Sequence, residues 1–198
     1  SNKMLLPLNF VVQFFFLILN LHKVDVILIS FGGYSSFLPS MLGNLFRKKV
    51  AIVVHGTDCV SFPEINYGNL RKPLLRYFTK KSYQWASIML PVSQSLVYTE
   101  NNYFSSKTLR FGYTHHFSDI NTPYRVIPNG LDGSIWMQES SIDRDEKTFV
   151  TVLSKGKEII KGIDLIVKVA NSFPGFKFYL AGIENLDFGE IPDNIICK

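Results

Sequence analysis

Residues 25–58 read DVILISFGGYSSFLPSMLGNLFRKKVAIVVHGTD, and the fold is decided there. Asp25-Val-Ile-Leu-Ile-Ser30 is a continuous apolar run of strand length, the pattern of a buried parallel strand. Phe31-Gly32-Gly33-Tyr34 is a glycine turn. Ser36 to Phe46 reads as a helix, provided that Pro39 falls in its first turn, where a proline lacks no bond it would otherwise make. Arg47-Lys48-Lys49 places cations at the helix carboxyl end, where the peptide dipoles favour them. Val50-Ala-Ile-Val-Val54 is a second buried strand, and His55-Gly56-Thr57-Asp58 follows at once. Strand, crossover helix and parallel strand make one unit of an α/β sheet.

The same rhythm extends outward. Upstream, Met4 to Leu21 is an apolar run broken by Pro7, Asn9, Gln13 and Asn20. It is marginal for a transmembrane helix, which needs ~20 apolar residues. His22-Lys23-Val24-Asp25 offers no small-residue cleavage site for a signal peptide. The expectation is a buried helix feeding the first strand, with membrane contact as the alternative. Downstream, Leu70–Tyr83 is predicted helical with Pro73 early in it, and Ser87–Val92 is a third strand. Ser93 is expected to cap a helix running to about Tyr103. Residues 104–123 show no period and read as a long loop. Tyr124–Ile127 is a short strand and Pro128-Asn129-Gly130 a turn. The charged, Ser-rich segment 138–147 is the linker candidate. A second series follows: a strand at Phe149–Leu153, a helix at Gly162–Phe173, a strand at Phe176–Ala181 and another beginning at Ile195. The expected class is therefore α/β, with two Rossmann-like, doubly wound parallel-sheet domains, each present only in part. Their bounds are 1–137 and 148–198.

Composition agrees. Of 198 residues 46% are apolar, 14% aromatic and 19% charged, which excludes disordered, collagenous and low-complexity chains. The net charge of +5 suits phosphates or acidic lipids and is too small to argue for nucleic acid. Cys59 and Cys197 form no disulfide framework or metal cluster, so a reducing compartment is the default. The basic residues Arg71, Lys72, Arg76, Lys80 and Lys81 are interleaved with Leu74, Leu75, Tyr77 and Phe78, a combination that also suits an anionic membrane surface.

Several motifs carry a resemblance. Val53-Val54-His55-Gly56-Thr57-Asp58, Val92-Ser93 after a strand, Val126-Ile-Pro-Asn-Gly-Leu-Asp132, and Lys161-Gly162-Ile-Asp-Leu165 followed by Phe178-Tyr-Leu-Ala-Gly182 stand in one order. In that order they resemble the glycosyltransferases of GT-B fold, family 4 (group 1), over roughly residues 25–198. The resemblance implies a retaining transferase that moves a sugar from a nucleotide-diphosphate sugar, such as a UDP- or GDP-sugar, to a saccharide or lipid-linked acceptor in polysaccharide or glycolipid synthesis. It implies no metal and no other cofactor. It implies a cytoplasmic protein, peripheral on the inner face of the plasma membrane.

The resemblance places His55 beside the reacting sugar as a positioning and electrostatic residue. It places Lys161 and Gly162 at the donor diphosphate, at the start of a helix whose N–H groups and dipole favour an anion. Asp58 and Gly33 belong to the acceptor side or to the loops that shape it. The chain departs from the family in three ways, the first being that the glycine-rich loop on the first strand of the acceptor domain is missing. No arginine precedes Lys161 in Leu153–Ile160, leaving Lys155 or Lys157 as point charges without its bidentate fork. No glutamate has a second one eight residues on, so the donor-sugar element E-x7-E is absent. On this reading the chain is a fragment, inactive alone. The alternative is a non-enzymatic α/β module that binds sugar or docks on membranes. His115-His116 with Asp119 is the weak metal candidate, short of ligands.

Overall fold

The computed structural model describes residues 6–101, 108–137 and 143–198. The chain divides into two compact units, Ser1–Gly130 and Leu131–Lys198. Half of the expected linker, 138–142, lies outside the described residues, as does the 104–107 part of the expected loop. Each unit is a parallel α/β layer of the Rossmann-like kind.

The first unit opens with helix α1 (Leu6–Asn20), strand β1 (Val26–Ser30), helix α2 (Tyr34–Leu45) and strand β2 (Lys49–Val54). Helix α3 (Pro73–Trp85) and strand β3 (Ile88–Pro91) follow. The sheet order is β1-β2-β3, all parallel, with Ile29 opposite Ile52 and Ile52 opposite Met89. Residues 124–127 run beside β3 without forming a full strand. The Arg125 N–H donates to the Met89 carbonyl at 3.0 Å and the Ile127 N–H to that of Pro91 at 3.0 Å. Central β2 carries the core: Val50, Ile52 and Val54 are fully buried, with Met89, Leu70 and Tyr83 around them.

Four expectations change here. First, α1 is a helix but not a buried one: Leu8, Val11, Val12, Phe15 and Leu19 are between 52% and 65% exposed. Its contacts come from one side, where Phe10 meets Phe37 and Phe78. Second, β1 is an edge strand with one open face, on which Val26 and Leu28 are exposed.

Third, Pro39 lies inside α2 and not in its first turn. A proline there leaves the carbonyl four residues back without its helical donor. That carbonyl belongs to Ser35, and it accepts a bond from Gln13 Nε2 at 2.8 Å. The polar residue that interrupts the apolar run of α1 thus satisfies the acceptor that the proline orphans, and fixes α1 on α2. Gln13→Leu is expected to cost about 1 kcal/mol despite the added apolar surface. Faster amide exchange along α1, read by mass spectrometry, checks it.

Fourth, Ser93 does cap a turn, its Oγ accepting from the Ser95 N–H at 3.3 Å, but the helix stops after Gln94–Leu96. The buried Val97 gives its carbonyl to the N–H and hydroxyl of Thr114, at 3.2 and 2.7 Å, so helical bonding cannot continue. Strand β4 (Thr99–Asn101) then pairs antiparallel with strand β5 (Leu109–Phe111), and the short helix α4 (Tyr113–His116) follows. Part of the expected loop is therefore ordered structure. Two cations of α3 are also engaged by other residues of the unit. Arg76 Nη2 donates to the His116 carbonyl at 3.0 Å, and Lys80 pairs with Asp119 at 2.8 Å.

The second unit holds strand β6 (Thr148–Val152), helix α5 (Ile163–Ser172), strand β7 (Lys177–Ala181) and strand β8 (Ile195–Cys197). Its sheet order is β6-β7-β8, again parallel. Leu180 and Ile163 are fully buried at its centre. Asn194 Nδ2 lies 2.9–3.1 Å from the Ala170, Phe173 and Phe176 carbonyls and so caps the end of α5.

Candidate functional site

Because β1 and β2 are parallel, their carboxyl ends emerge side by side, where open α/β sheets bind ligands. Ser30 and Phe31 leave one strand beside His55 and Gly56 leaving the other. Ser30 Oγ and His55 Nε2 are 3.0 Å apart. The Phe31 ring lies on the imidazole, with centroids 4.3 Å apart and planes 31° from parallel. Phe31 holds φ at +68°, a left-handed conformation that costs an aromatic residue about 1–2 kcal/mol. Such strain persists only where the surroundings enforce it.

The enforcing group is Asp58, which is fully buried. Its Oδ2 accepts from the Gly32 N–H at 2.8 Å and from the Tyr83 hydroxyl at 2.9 Å. Its Oδ1 accepts from the His55 and Gly56 N–H groups at 3.2 and 3.0 Å. One carboxylate therefore ties the glycine turn after β1 to the crest after β2, and supplies four hydrogen bonds in place of a counter-ion. Of the two roles expected for Asp58, the geometry is that of the loop-fixing one. Burial first, and then the Asp58 charge, drive the Tyr83 hydroxyl well above its ordinary pKa. The same two causes raise the Cys59 thiol, which donates to the Gly56 carbonyl and stays protonated. Cys59 is thus a packing residue and not a nucleophile.

Gly32 is dictated by packing: a Cβ there would lie 2.6 Å from the Tyr83 ring. Gly33 precedes the first turn of α2 and lines a cleft of about 700 Å3 together with Asn9, Gln13, Phe31, Asn69 and Leu75. Sequence reasoning missed Ser30, Phe31 and Tyr83. The signal for the first two was present, since they end the strand that pairs with the one leading to His55. Nothing local marks Tyr83, which arrives from α3.

In the second unit, the crest after β6 carries Lys155, Lys157 and Lys161, all exposed and none in an ion pair among the described residues. Gly162 has φ +71° and turns the chain into α5. One expectation fails here. The N–H groups of Lys161, Gly162 and Ile163 are not free for an anion, because they donate to the carbonyls of residues 157–159 at 3.0–3.2 Å. The tight turn before α5 uses them up. Glu158, whose carboxylate accepts from the Gly156 N–H at 2.8 Å, and Asp164 in the first turn add negative charge nearby. The lysine side chains, more than the helix start, are what this crest offers an anion.

Among the described residues, no group of three or more His, Cys, Asp and Glu side chains is placed to hold a metal ion. Asp119 is taken by Lys80 and by Gln84 Nε2, at 2.8 and 3.0 Å. The His115 and His116 rings lie 5.0 Å apart. Burial, then His115 and Arg76, bring the His116 pKa down from 6.5 to about 4. The unfolded chain then binds more protons than the folded one between those values, so stability rises with pH from about 4 to 6.5. His116→Gln is expected to flatten that part of a stability–pH curve measured by urea unfolding.

No protein-family model matches the chain, and no curated protein sequence matches it. Among solved structures it is similar to a UDP co-structure of MnaA from S. aureus, with 10% identity and a TM-score of 0.44. The match covers 93% of this chain and 50% of that one, so the chain spans about half the length of that protein. At that distance nothing about its ligand or chemistry carries over. Fold and crests together define a pair of Rossmann-like units, one presenting a braced histidine and the other three free lysines. Among the described residues no helix is long and apolar enough to cross a membrane.

Proposed function

We propose that the chain belongs to a retaining glycosyltransferase of GT-B type that draws on a nucleotide-diphosphate sugar and serves a saccharide or lipid-linked acceptor at a membrane surface. The bond between the anomeric carbon and the diphosphate oxygen breaks. The acceptor oxygen bonds to the same face of the sugar, and its proton leaves with the diphosphate. Charge grows on the departing phosphates, and cationic side chains stabilise it there. Lys161 takes that role, with Lys155 standing where the motif otherwise carries arginine. Gly162 contributes the turn into α5 and not a donor. His55 positions and polarises the reacting sugar, and Gly33 shapes the acceptor cleft.

The observation that supports this most is the Asp58 clamp. A buried carboxylate spends its whole hydrogen-bonding capacity on holding His55, Gly56 and the Gly32 turn at the ligand-binding end of a parallel sheet. A merely structural turn does not require a strained phenylalanine stacked on a histidine. Calorimetric titration of the chain with UDP, GDP and their sugars, in chelator, tests the reading. The expected result is metal-independent binding with a dissociation constant near or below 1 mM, on the order of −4 kcal/mol. Absence of binding by every nucleotide would leave the non-enzymatic module as the better account.

A further inference from the structure

The outward face of α1 consists of Leu8, Val11, Val12, Phe15 and Leu19, spaced at helical intervals and each more than half exposed. No residue from Leu6 to Asn20 is charged. The opposite face is already occupied by Phe10 and Gln13. Leu45 and Phe46 are another exposed apolar pair, and near the carboxyl end of α1 Ile18 and His22 share a pocket with Phe46 and Lys48. Lys48 lines that pocket with Arg47 and Lys49 on either side of it in the chain, and Lys23 follows α1, against a single neighbouring carboxylate, Asp25. None of these four cations is in an ion pair among the described residues.

We propose that α1 docks the protein on an anionic lipid bilayer, with its outward face entering the boundary between headgroups and acyl chains and the Lys23 and Arg47–Lys49 cations meeting lipid phosphates. The face carries no hydrogen-bonding group that would set the register of a protein partner. It also has no small residue that would let a second helix approach closely. A fluid apolar layer bounded by phosphates demands neither, and the charge at the end of the helix complements it. The 15 described residues of the helix span about 22 Å, short of a ~30 Å hydrocarbon core, and the proposal lays them along the surface. The interleaved cations of α3 are the poorer surface, because Arg76 and Lys80 are bound within the unit. The inference shares the membrane part of the proposed function and does not depend on its chemistry.

Co-sedimentation of the full chain with vesicles of phosphatidylcholine, with and without phosphatidylglycerol, tests it. The chain is expected to bind the anionic vesicles and to release with salt. Phe15→Glu, Leu19→Glu and Arg47→Glu are each expected to weaken binding at least about tenfold, because two remove apolar insertion and one reverses a charge. Phe15→Trp, which keeps the face apolar, guards against misfolding of the glutamate variants. Its emission, relative to the parent chain, is expected to shift blue on anionic vesicles. Failure to sediment, an unshifted Phe15→Trp, or a dimer dissociated by Phe15→Glu with vesicle binding unchanged would each overturn the proposal. Nucleotide titration is unaffected by any of these outcomes, so the two readings fail separately.

Discussion

Replacing Asp58 with alanine is expected to cost the first unit about 4 kcal/mol, at the exceptional end of what a single substitution does. The side chain is fully buried and accepts from three backbone N–H groups and one phenol. Alanine leaves all four donors without an acceptor. Each buried orphan costs about 1–3 kcal/mol, reduced where water from the cleft reaches the gap. Against a total of ~5–15 kcal/mol, that is enough to unfold a marginal unit. Asp58→Asn is expected to do nearly as much damage, because one acceptor oxygen becomes an NH2 group facing two donors. Tyr83→Phe removes one donor and is expected to be far milder. Urea unfolding followed by Trp85 emission reads the first unit, since Trp85 sits at the end of α3. An Asp58→Asn chain as stable as the parent would mean that the carboxylate does not organise this crest.

Lys161→Ala is expected to leave stability within about 0.5 kcal/mol, as for an ordinary exposed position. It is also expected to weaken nucleotide-diphosphate binding by about 10- to 100-fold. A charged hydrogen bond to a phosphate oxygen contributes about 1.5–3 kcal/mol, and the expected factor follows from that. The effect is large because the N–H groups of Lys161, Gly162 and Ile163 are already bonded and cannot replace the lost ammonium. Lys161→Arg is expected to restore most of the affinity. Titration calorimetry with UDP and GDP, alongside a thermal melt, separates the two effects. Equal affinity in parent and Lys161→Ala chains would remove this residue from the donor site.

Much of the fold was legible in residues 25–58. Apolar runs of strand length, glycine turns and basic helix ends are local patterns, and they located β1, α2, β2 and the crest at His55. The same grammar found β6, α5 and β7. It failed at Ser93, where a correct cap led to an expected helix that Val97 and Thr114 end through a contact 17 residues apart. It also failed at Pro39, because the group that makes a mid-helix proline tolerable is Gln13 on another helix.

The candidate site divides the same way. His55, Asp58, Lys155, Lys161 and Gly162 were visible as motif residues, since residue type and spacing along one chain segment define a motif. What each does was not visible. Asp58 is a clamp because strand register brings Gly32 within reach and α3 delivers Tyr83 from 25 residues away. The N–H groups of Lys161, Gly162 and Ile163 are spent because the turn before α5 closes on itself. The apolar face of α1 is exposed because only one of its sides finds partners in α2 and α3. Sequence alone determined most of the elements and the order of the crests, which depend on near neighbours in the chain. Tertiary structure decided which polar groups are spent and which faces stay open, because both are settled by register and packing between segments that the chain holds far apart.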